Sequence, residues 1–257
     1  MNPPPIVIFA SRSRTSYALI HALADQFSVA AVVFEHGQGR KLLRYRLKTL
    51  GWLRVLGQLA FLAYDRLIIR PRSEGKINAL LADYNDAPPD NRLRCMDVDS
   101  INGEAVQALL QEIQPACVVV SGTGIIRKKI LALSDTFINI HTGITPRYRG
   151  VHGAFWAVYE GRPELAGVTI HLIDAGIDTG GILAQASITV DPAQDTYRTL
   201  PVKQYLVGLP LMVEQVAQAL AGELAPYQRS DLESQQWYSP NLTEYIRFVI
   251  KLTEKAP

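Results

Sequence analysis

Runs of apolar and polar residues divide the first half of the chain into strands and helices. Apolar runs at 5–10 and 28–35 predict buried strands, and helical apolar spacing at 16–26 lies between them. A strand, a helix and a strand in that order predict a βαβ unit and therefore a parallel sheet. The same patterns predict strands at 92–98 and 116–121 and helices at 74–84, 103–113 and 126–133.

The second half of the chain begins with a strict alternation at 137–141, which predicts a strand with Asn139 and His141 on one side. The patterns that follow predict helices at 152–160, at 198–220 and from about Thr243, with strands at 167–173 and 182–190. These two strands flank a glycine-rich loop, so we expect them to run antiparallel. The prediction is an α/β fold with a mostly parallel sheet flanked by helices, in which residues 1–222 form the main domain and 223–257 a C-terminal helical tail.

Residues 37–72 differ from the rest of the chain. They carry nine Lys and Arg residues against a single acid, Asp65, with leucines and aromatics interleaved. We expect one or two helices, broken near Gly51, that form an insertion packed on the sheet with a solvated basic rim. A lid over an acidic substrate, a homodimer face and a helix lying on a membrane surface stay open as alternatives.

Composition narrows the class of protein. The 257 residues are 48% hydrophobic and 19% charged, values that are ordinary for a folded globular chain. The net charge of +2 is too small to indicate nucleic-acid binding. Cys95 and Cys117 each lie in an apolar run, which favours buried free thiols and a reducing compartment. With no signal-peptide pattern and no apolar run of about 18 residues, a cytoplasmic location is expected.

Asn139, His141 and Asp178 are the candidate catalytic residues. An amide and an imidazole can donate hydrogen bonds to an oxyanion, and an imidazole can also carry a proton near neutral pH. A carboxylate such as Asp178 can orient that imidazole or relay a proton. The sequence contains no Gly-x-Ser-x-Gly elbow, which favours direct acyl transfer over a covalent intermediate. The alternative is a structural Asn and a hydrogen-bonded His at a strand end.

Three motifs carry a resemblance to a known family. Asn139-Ile140-His141, the Pro-Arg-Tyr-Arg-Gly run at 146–150 and the Asp-x-Gly-x-Asp-Thr-Gly run at 174–180 resemble folate-dependent formyltransferases in order and spacing. The resemblance implies a Rossmann-like fold, N10-formyltetrahydrofolate as the formyl donor, no metal, and catalysis by Asn139, His141 and Asp178. It also implies a pterin pocket formed by Gly124, Ile125, Ile126, Ile173, Asp174, Ala175 and Gly176.

The departures from the family pattern concern the amine acceptor. Family members that formylate glycinamide ribonucleotide have a glycine-rich phosphate loop after the first strand, whereas this chain has Ser11-Arg12-Ser13-Arg14. Without glycines in this loop, no dinucleotide is expected. Family members often have Ser-Leu-Leu-Pro after the catalytic His, and residues 142–145 of this chain depart from that pattern. We expect a small amine acceptor, such as a free or nucleotide-linked amino sugar, held by Ser11, Arg12, Ser13, Thr142 and Gly143. No tRNA partner is expected, because the residues after Leu220 are few and helical. Formyltetrahydrofolate hydrolysis and a membrane-associated folate-fold binding protein are the alternative functions.

Overall fold

The computed structural model describes residues 3–36 and 47–253. The predictions for 37–46 therefore lie outside the described residues. A seven-stranded sheet with the order β3-β2-β1-β4-β5-β7-β8 forms the centre of the molecule. The strands are β1 (Ile6–Ala10), β2 (Val29–Glu35), β3 (Cys95–Val98), β4 (Cys117–Ser121), β5 (Phe137–His141), β6 (Arg149–Gly150), β7 (Gly167–Leu172), β8 (Ile182–Ser187) and β9 (Gln236–Trp237).

Helices cover both faces of the sheet. They are α1 (Arg14–Ala24), α2 (Trp52–Tyr64), a π-helical turn (Asp65–Ile69), α3 (Arg70–Leu81), α4 (Glu104–Ile113), α5 (Lys128–Leu131), α6 (Gly153–Tyr159), a 3₁₀ turn (Pro163–Leu165), α7 (Thr199–Ala221) and α8 (Leu242–Thr253). Gly51 is the N-cap of α2 and separates it from the helical residues 47–50, and its φ of 80° suits a glycine. The predicted break near this residue is confirmed.

The sheet is parallel over its first five strands. β1 pairs with β2 and β4, and β4 pairs with β5, all in the same direction. The strands at its centre are fully buried because helices cover both of their faces, which explains their continuous apolar runs. The predicted α/β fold with a mostly parallel sheet is confirmed.

β7 and β8 complete the sheet in the opposite sense. β7 runs antiparallel to both β5 and β8, as the sequence predicts for the pair around the glycine-rich loop. The loop between β7 and β8 leaves the sheet beside the start of β5, where the N–H of Ile173 donates to the carbonyl oxygen of Phe137. It then folds back, so that Asp178 comes within 3.5 Å of His141 at the end of β5. The carboxyl end of β5 and this loop together form one wall of the candidate site.

Three buried clusters hold these layers together. One packs α1 and α7 on one face of the sheet, and the second packs α4 on the other face. The third lies under the C-terminal segment and includes Trp156 of α6 and Phe248 of α8. β9 pairs with β6, so the chain beyond residue 222 is tied back beside the candidate site.

The two cysteines differ in exposure. Cys117 is buried as expected, but Cys95 is exposed, so that part of the prediction is wrong. Cys95 begins β3, and an edge strand leaves side chains open to solvent. In the described part of the chain no helix is both long and apolar enough to cross a bilayer.

Candidate active site

Strand β5 delivers Asn139 and His141 to the same side of the sheet, as the alternation predicts. Its antiparallel neighbour β7 is in register so that Asn139 faces His171. Side chains directly opposite one another on paired strands point to the same face. The amide Nδ2 of Asn139 therefore lies 3.1 Å from the ring nitrogen Nε2 of His171. His171 is therefore a further residue of this site, beside the predicted catalytic residues.

His141 is held in one tautomer by the backbone. Its Nε2 lies 2.7 Å from the carbonyl oxygen of Tyr148, which can only accept, so Nε2 carries a hydrogen. The buried Tyr148 is itself fixed by a hydrogen bond from its hydroxyl to Glu160. The other nitrogen of His141, Nδ1, consequently faces Asp178 and is the atom that can gain or lose a proton.

Asp178 lies between the two histidines. Its Oδ2 accepts the backbone N–H of Gly150 at 2.8 Å and lies 3.5 Å from Nδ1 of His141. Its Oδ1 lies 3.6 Å from Nε2 of His171. The backbone of Asp178 has a φ of 51°, a left-handed conformation that costs energy in a residue other than glycine and is characteristic of functional sites.

The environment of Asp178 keeps its carboxylate charged. Burial disfavours the charge, but His141, the hydrogen bond with His171 and the N–H of Gly150 together outweigh burial and hold the pKa of Asp178 well below its ordinary value. Asp178 is therefore ionised at neutral pH. Its negative charge faces Nδ1 of His141.

His171 anchors the amide of Asn139. Its Nδ1 lies 2.8 Å from the carbonyl oxygen of Leu172, so this nitrogen is the donor. Nε2 lies 3.1 Å from the amide nitrogen of Asn139 and 3.6 Å from Oδ1 of Asp178, so the ring contacts both side chains and fixes the amide. The sequence pattern alone did not single out His171, because the register between β5 and β7 places it here and no local motif encodes that register.

A cavity of about 380 Å³ opens beside these residues. Asn139, His171 and Asp178 form part of its wall, whereas His141 lies behind Asp178 and is only 6% exposed. This volume falls within the range of about 300–1,000 Å³ that is common for small-molecule sites. Six of the seven predicted pterin-pocket residues line it: Gly124, Ile125, Ile126, Ile173, Asp174 and Gly176. The seventh, Ala175, is exposed on the same loop and points elsewhere.

The C-terminal segment closes another side of this cavity. Residues 236–239, which include β9, line it, and Trp237 donates from its indole Nε1 to the carbonyl oxygen of Arg147. No local motif predicts this contribution, because the segment lies more than 50 residues beyond Asp178 in the chain.

A second cavity of about 300 Å³ also contains Asp178. Thr145 and Arg149 line it together with Arg229 from the C-terminal segment. The Nη1 of Arg149 donates to the carbonyl oxygen of Ile177, while its buried Nε makes no hydrogen bond within the described residues. Asp178 is thus shared by two cavities, one of which carries two guanidinium groups.

The five predicted acceptor residues lie outside both of these cavities. Ser13 caps α1 through the N–H of Ser16, and Arg12 forms an ion pair with Asp97 at 2.7 Å. Ser11 packs beside Gly122 at the end of β4. Their part in acceptor binding stays a prediction.

Thr142 and Gly143 pack behind His141. The carbonyl of Thr142 accepts the N–H of Gly153, and a Cβ at position 143 would lie 2.3 Å from the carbonyl oxygen of Tyr148. A glycine at 143 therefore lets that carbonyl reach His141.

Within residues 3–36 and 47–253, no group of three or more His, Cys, Asp and Glu side chains is placed to hold a metal ion.

A Rossmann-like sheet with an amide, two imidazoles and a carboxylate at the end of β5 defines a site suited to acyl-group chemistry. Residues 78–214, more than half of the chain, match the family described as Formyl transferase. The chain belongs to the formyl transferase family. The resemblance predicted from the sequence motifs, to the folate-dependent formyltransferases, is confirmed at this level.

Individual relatives agree with this assignment. A methionyl-tRNA formyltransferase from Caldanaerobacter subterraneus is 34% identical over 145 residues, which cover 56% of this chain and 45% of that protein. A sugar N-formyltransferase from Shewanella has a TM-score of 0.58 at 14% identity, with 97% of this chain and 87% of that one covered. Glycinamide ribonucleotide transformylase 1 from Symbiobacterium toebii has a TM-score of 0.59 at 19% identity, covering 91% and 92%. The two solved structures share the fold, and the aligned part spans less than half of the methionyl-tRNA enzyme.

Proposed function

We propose that this chain transfers a formyl group from N10-formyltetrahydrofolate to the amine of a small molecule. The observation that carries the proposal is the ionised carboxylate of Asp178, which lies 3.5 Å from Nδ1 of His141 at the wall of a cavity of about 380 Å³. Membership of the formyl transferase family supports the same reaction.

The first cavity suits the donor. Its walls are mostly apolar, with Ile125, Ile126 and Ile173, and two glycines, Gly124 and Gly176, bring the backbone close to any bound ring. A flat pterin fits between the loop after β4 and the loop after β7. Its formyl group would then lie beside Asn139 and Asp178, which share the cavity wall.

The chemistry assigns one task to each side chain. A bond forms between the acceptor nitrogen and the formyl carbon, and the bond from that carbon to N10 of the folate breaks. The amide of Asn139, held by His171, donates to the carbonyl oxygen as negative charge develops there. The proton that leaves the acceptor nitrogen passes along the carboxylate of Asp178, which lines both cavities, to Nδ1 of His141, and Asp178 stabilises the resulting imidazolium. The proton then passes to N10, giving a formamide and tetrahydrofolate.

The second cavity suits the acceptor. Asp178 lies in its wall, so an amine bound there would be close to the reacting atoms. Arg149 and Arg229 in the same wall favour an acceptor with an anionic group, and a nucleotide-linked amino sugar has a diphosphate that meets this requirement. Residues 145 and 146 also line this cavity. Part of the segment that departs from the family's Ser-Leu-Leu-Pro therefore lies where the acceptor would bind.

Methionyl-tRNA is a second candidate acceptor. It is named by the relative that is 34% identical, although the alignment covers only 45% of that protein. An end of a tRNA also carries phosphates, so the two arginines alone do not separate the two acceptors. The experiment must therefore compare them directly.

The test is a formyl-transfer assay with purified protein and N10-formyltetrahydrofolate. Separate reactions contain a nucleotide-linked amino sugar, the free amino sugar, methionyl-tRNA or no acceptor, and mass spectrometry follows the formylated product. We expect product with the nucleotide-linked sugar and little formate without acceptor. Product with methionyl-tRNA alone would show that the acceptor is methionyl-tRNA and not an amino sugar, and formate release that is independent of acceptor would indicate a hydrolase.

Arg229→Gln should raise the KM for the nucleotide-linked sugar and leave the KM for the formyl donor unchanged.

A further inference from the structure

Helix α2 exposes an unusual amount of apolar surface. Sixteen large hydrophobic residues are exposed in the described part of the chain, and eight of these lie between 47 and 67. Single exposed apolar residues are normal, but a concentration of this kind marks an interaction site. α8, which packs against α2, exposes three more: Ile246, Val249 and Ile250.

Five of the exposed residues of α2 and the π-helical turn form one stripe. Leu53, Leu56, Ala60, Ala63 and Leu67 recur every three or four residues and therefore lie along one side of the helix. Leu53 is 67% exposed, Leu56 58% and Leu67 72%. All five residues of the stripe are apolar, and Leu59 and Leu62 beside it are exposed too, whereas an ordinary surface helix carries polar residues on its outer side.

The opposite side of α2 is already occupied. Val55, Gln58 and Phe61 are buried against the protein, and the side-chain amide of Gln58 donates to the carbonyl oxygen of Ser239 at 2.6 Å. Phe61 contacts the ring of Tyr245 in α8. The outward stripe is thus separate from the face that holds α2 in the fold.

Cations without opposing acids surround the stripe. Lys48, Arg66, Arg70 and Arg72 are exposed, and none of the four forms an ion pair with a described residue. Asp65 is the one acid between 47 and 72 in the sequence; it is buried and paired with Arg198. Trp52 at the start of α2 is 67% exposed, and Trp is enriched where membrane meets water.

We propose that the outward face of α2 binds the surface of an anionic lipid bilayer. The leucine stripe enters the boundary between headgroups and acyl chains, and Lys48, Arg66, Arg70 and Arg72 contact the lipid phosphates. This binding is separate from the proposed formyl transfer, since none of these residues lines either cavity that contains Asp178.

Two observations favour lipid over a second copy of this chain. An apolar stripe from Leu53 to Leu67 spans about two heptads, fewer than the three or four that indicate a coiled coil. Two copies joined through this face would also bring like charges together, whereas an anionic bilayer is complementary to them.

The test is co-sedimentation of the full chain with vesicles of phosphatidylcholine, with and without phosphatidylglycerol. We expect pelleting with the anionic vesicles and weaker binding at higher salt. Arg66→Gln/Arg70→Gln should lower the partition coefficient about thirtyfold, since each cation near an anionic surface contributes to binding. Leu53→Gln/Leu56→Gln/Leu67→Gln should lower it by at least about tenfold.

Matched controls separate this face from general charge and apolarity. Lys128→Gln/Lys129→Gln removes two exposed cations of α5, and Val207→Gln removes an exposed apolar side chain of α7. Both should bind like the wild type, with unchanged circular dichroism in every variant. Absence of pelleting, or equal loss in the controls, would overturn the proposal. Sedimentation velocity that shows a dimer broken by the triple Leu variant, without vesicle binding, would assign the face to a second copy instead.

Discussion

Nδ1 of His141 lies 3.5 Å from Oδ2 of Asp178, while the opposite ring nitrogen donates to the carbonyl oxygen of Tyr148. The backbone therefore decides which nitrogen of His141 exchanges protons. Because Asp178 stays ionised, its carboxylate can stabilise a positive charge that develops on this ring. This division of tasks underlies the proposed transfer of a formyl group.

Replacement of His141 should remove the proton acceptor. We expect His141→Ala to lower kcat by about 100- to 10,000-fold, the usual contribution of a positioned acid–base group. Donor binding should survive, since His141 lies behind the cavity wall. Steady-state kinetics and fluorescence titration with tetrahydrofolate measure the two effects. His21→Ala on α1 is the matched control, and similar losses in both variants would contradict the assignment.

The carboxyl of Asp178 should remain ionised where an ordinary Asp titrates. Its folded-state pKa is lowered from 3.8 by the two histidines and the N–H of Gly150, against the effect of burial. Its contribution to stability is therefore complete above pH 3.8 and is lost as the pH falls below that value toward the folded pKa.

Carbon-13 NMR of the Asp178 carboxyl, assigned by its loss in Asp178→Asn, measures this titration. We expect no titration step at or above pH 3.8. In urea denaturation, the wild type should have a larger free energy of unfolding than Asp178→Asn, and this difference should disappear only in more acidic solution. A midpoint at the ordinary value or higher would show that the histidines do not stabilise the charge.

His171 should act as a positioning residue for Asn139. His171→Gln breaks the contact of 3.1 Å that fixes the amide, and a misplaced donor can cost up to about 100-fold in rate. We expect kcat to fall, with little change in the KM for the donor. If kcat stays at the wild-type value, His171 does not position the amide of Asn139.

Gly150 should resist replacement because of both its conformation and its surroundings. Its φ is +96°, and a Cβ there would lie 2.2 Å from the carbonyl oxygen of Trp237. Gly150→Ala should destabilise the fold by about 1–3 kcal/mol and lower activity, since the N–H of Gly150 binds Asp178.

Two other glycines separate these causes. Gly161 has a φ of +77° but open space around a Cβ, so Gly161→Ala tests the conformational cost alone. Gly75 lies inside α3 with nothing within 4 Å of a Cβ, and Gly75→Ala should stabilise by about 0.5–1 kcal/mol. Thermal denaturation measures all three variants. Equal loss of stability in the variants at 150 and 161 would refute the packing argument.

The sequence was sufficient for features that depend on local pattern. The alternation at 137–141 predicted β5 with its bounds and the shared side of Asn139 and His141. The βαβ opening and the antiparallel pair around the glycine-rich loop also followed from periodicity. The motifs were specific enough to predict the family, because residue types, order and spacing agreed together.

Features that depend on pairing between distant segments could not be predicted. His171 meets Asn139 through the register of β7 on β5, and β9 reaches the first cavity only because it pairs with β6. The exposure of Cys95 follows from the position of β3 at the sheet edge, although its apolar neighbours suggested burial. The arginines of the second cavity come from residues 149 and 229, far apart in the chain.

The most direct measurement follows a carbon-13 label in the formyl group of N10-formyltetrahydrofolate. Wild-type protein, Asp178→Asn and His141→Ala are each incubated with the labelled donor and a nucleotide-linked amino sugar, and NMR detects the labelled formamide. We expect label on the sugar nitrogen with the wild type and a loss of at least about 100-fold in both variants. Equal transfer by all three proteins, or no labelled formamide from the wild type with any amine, would refute formyl transfer through His141 and Asp178.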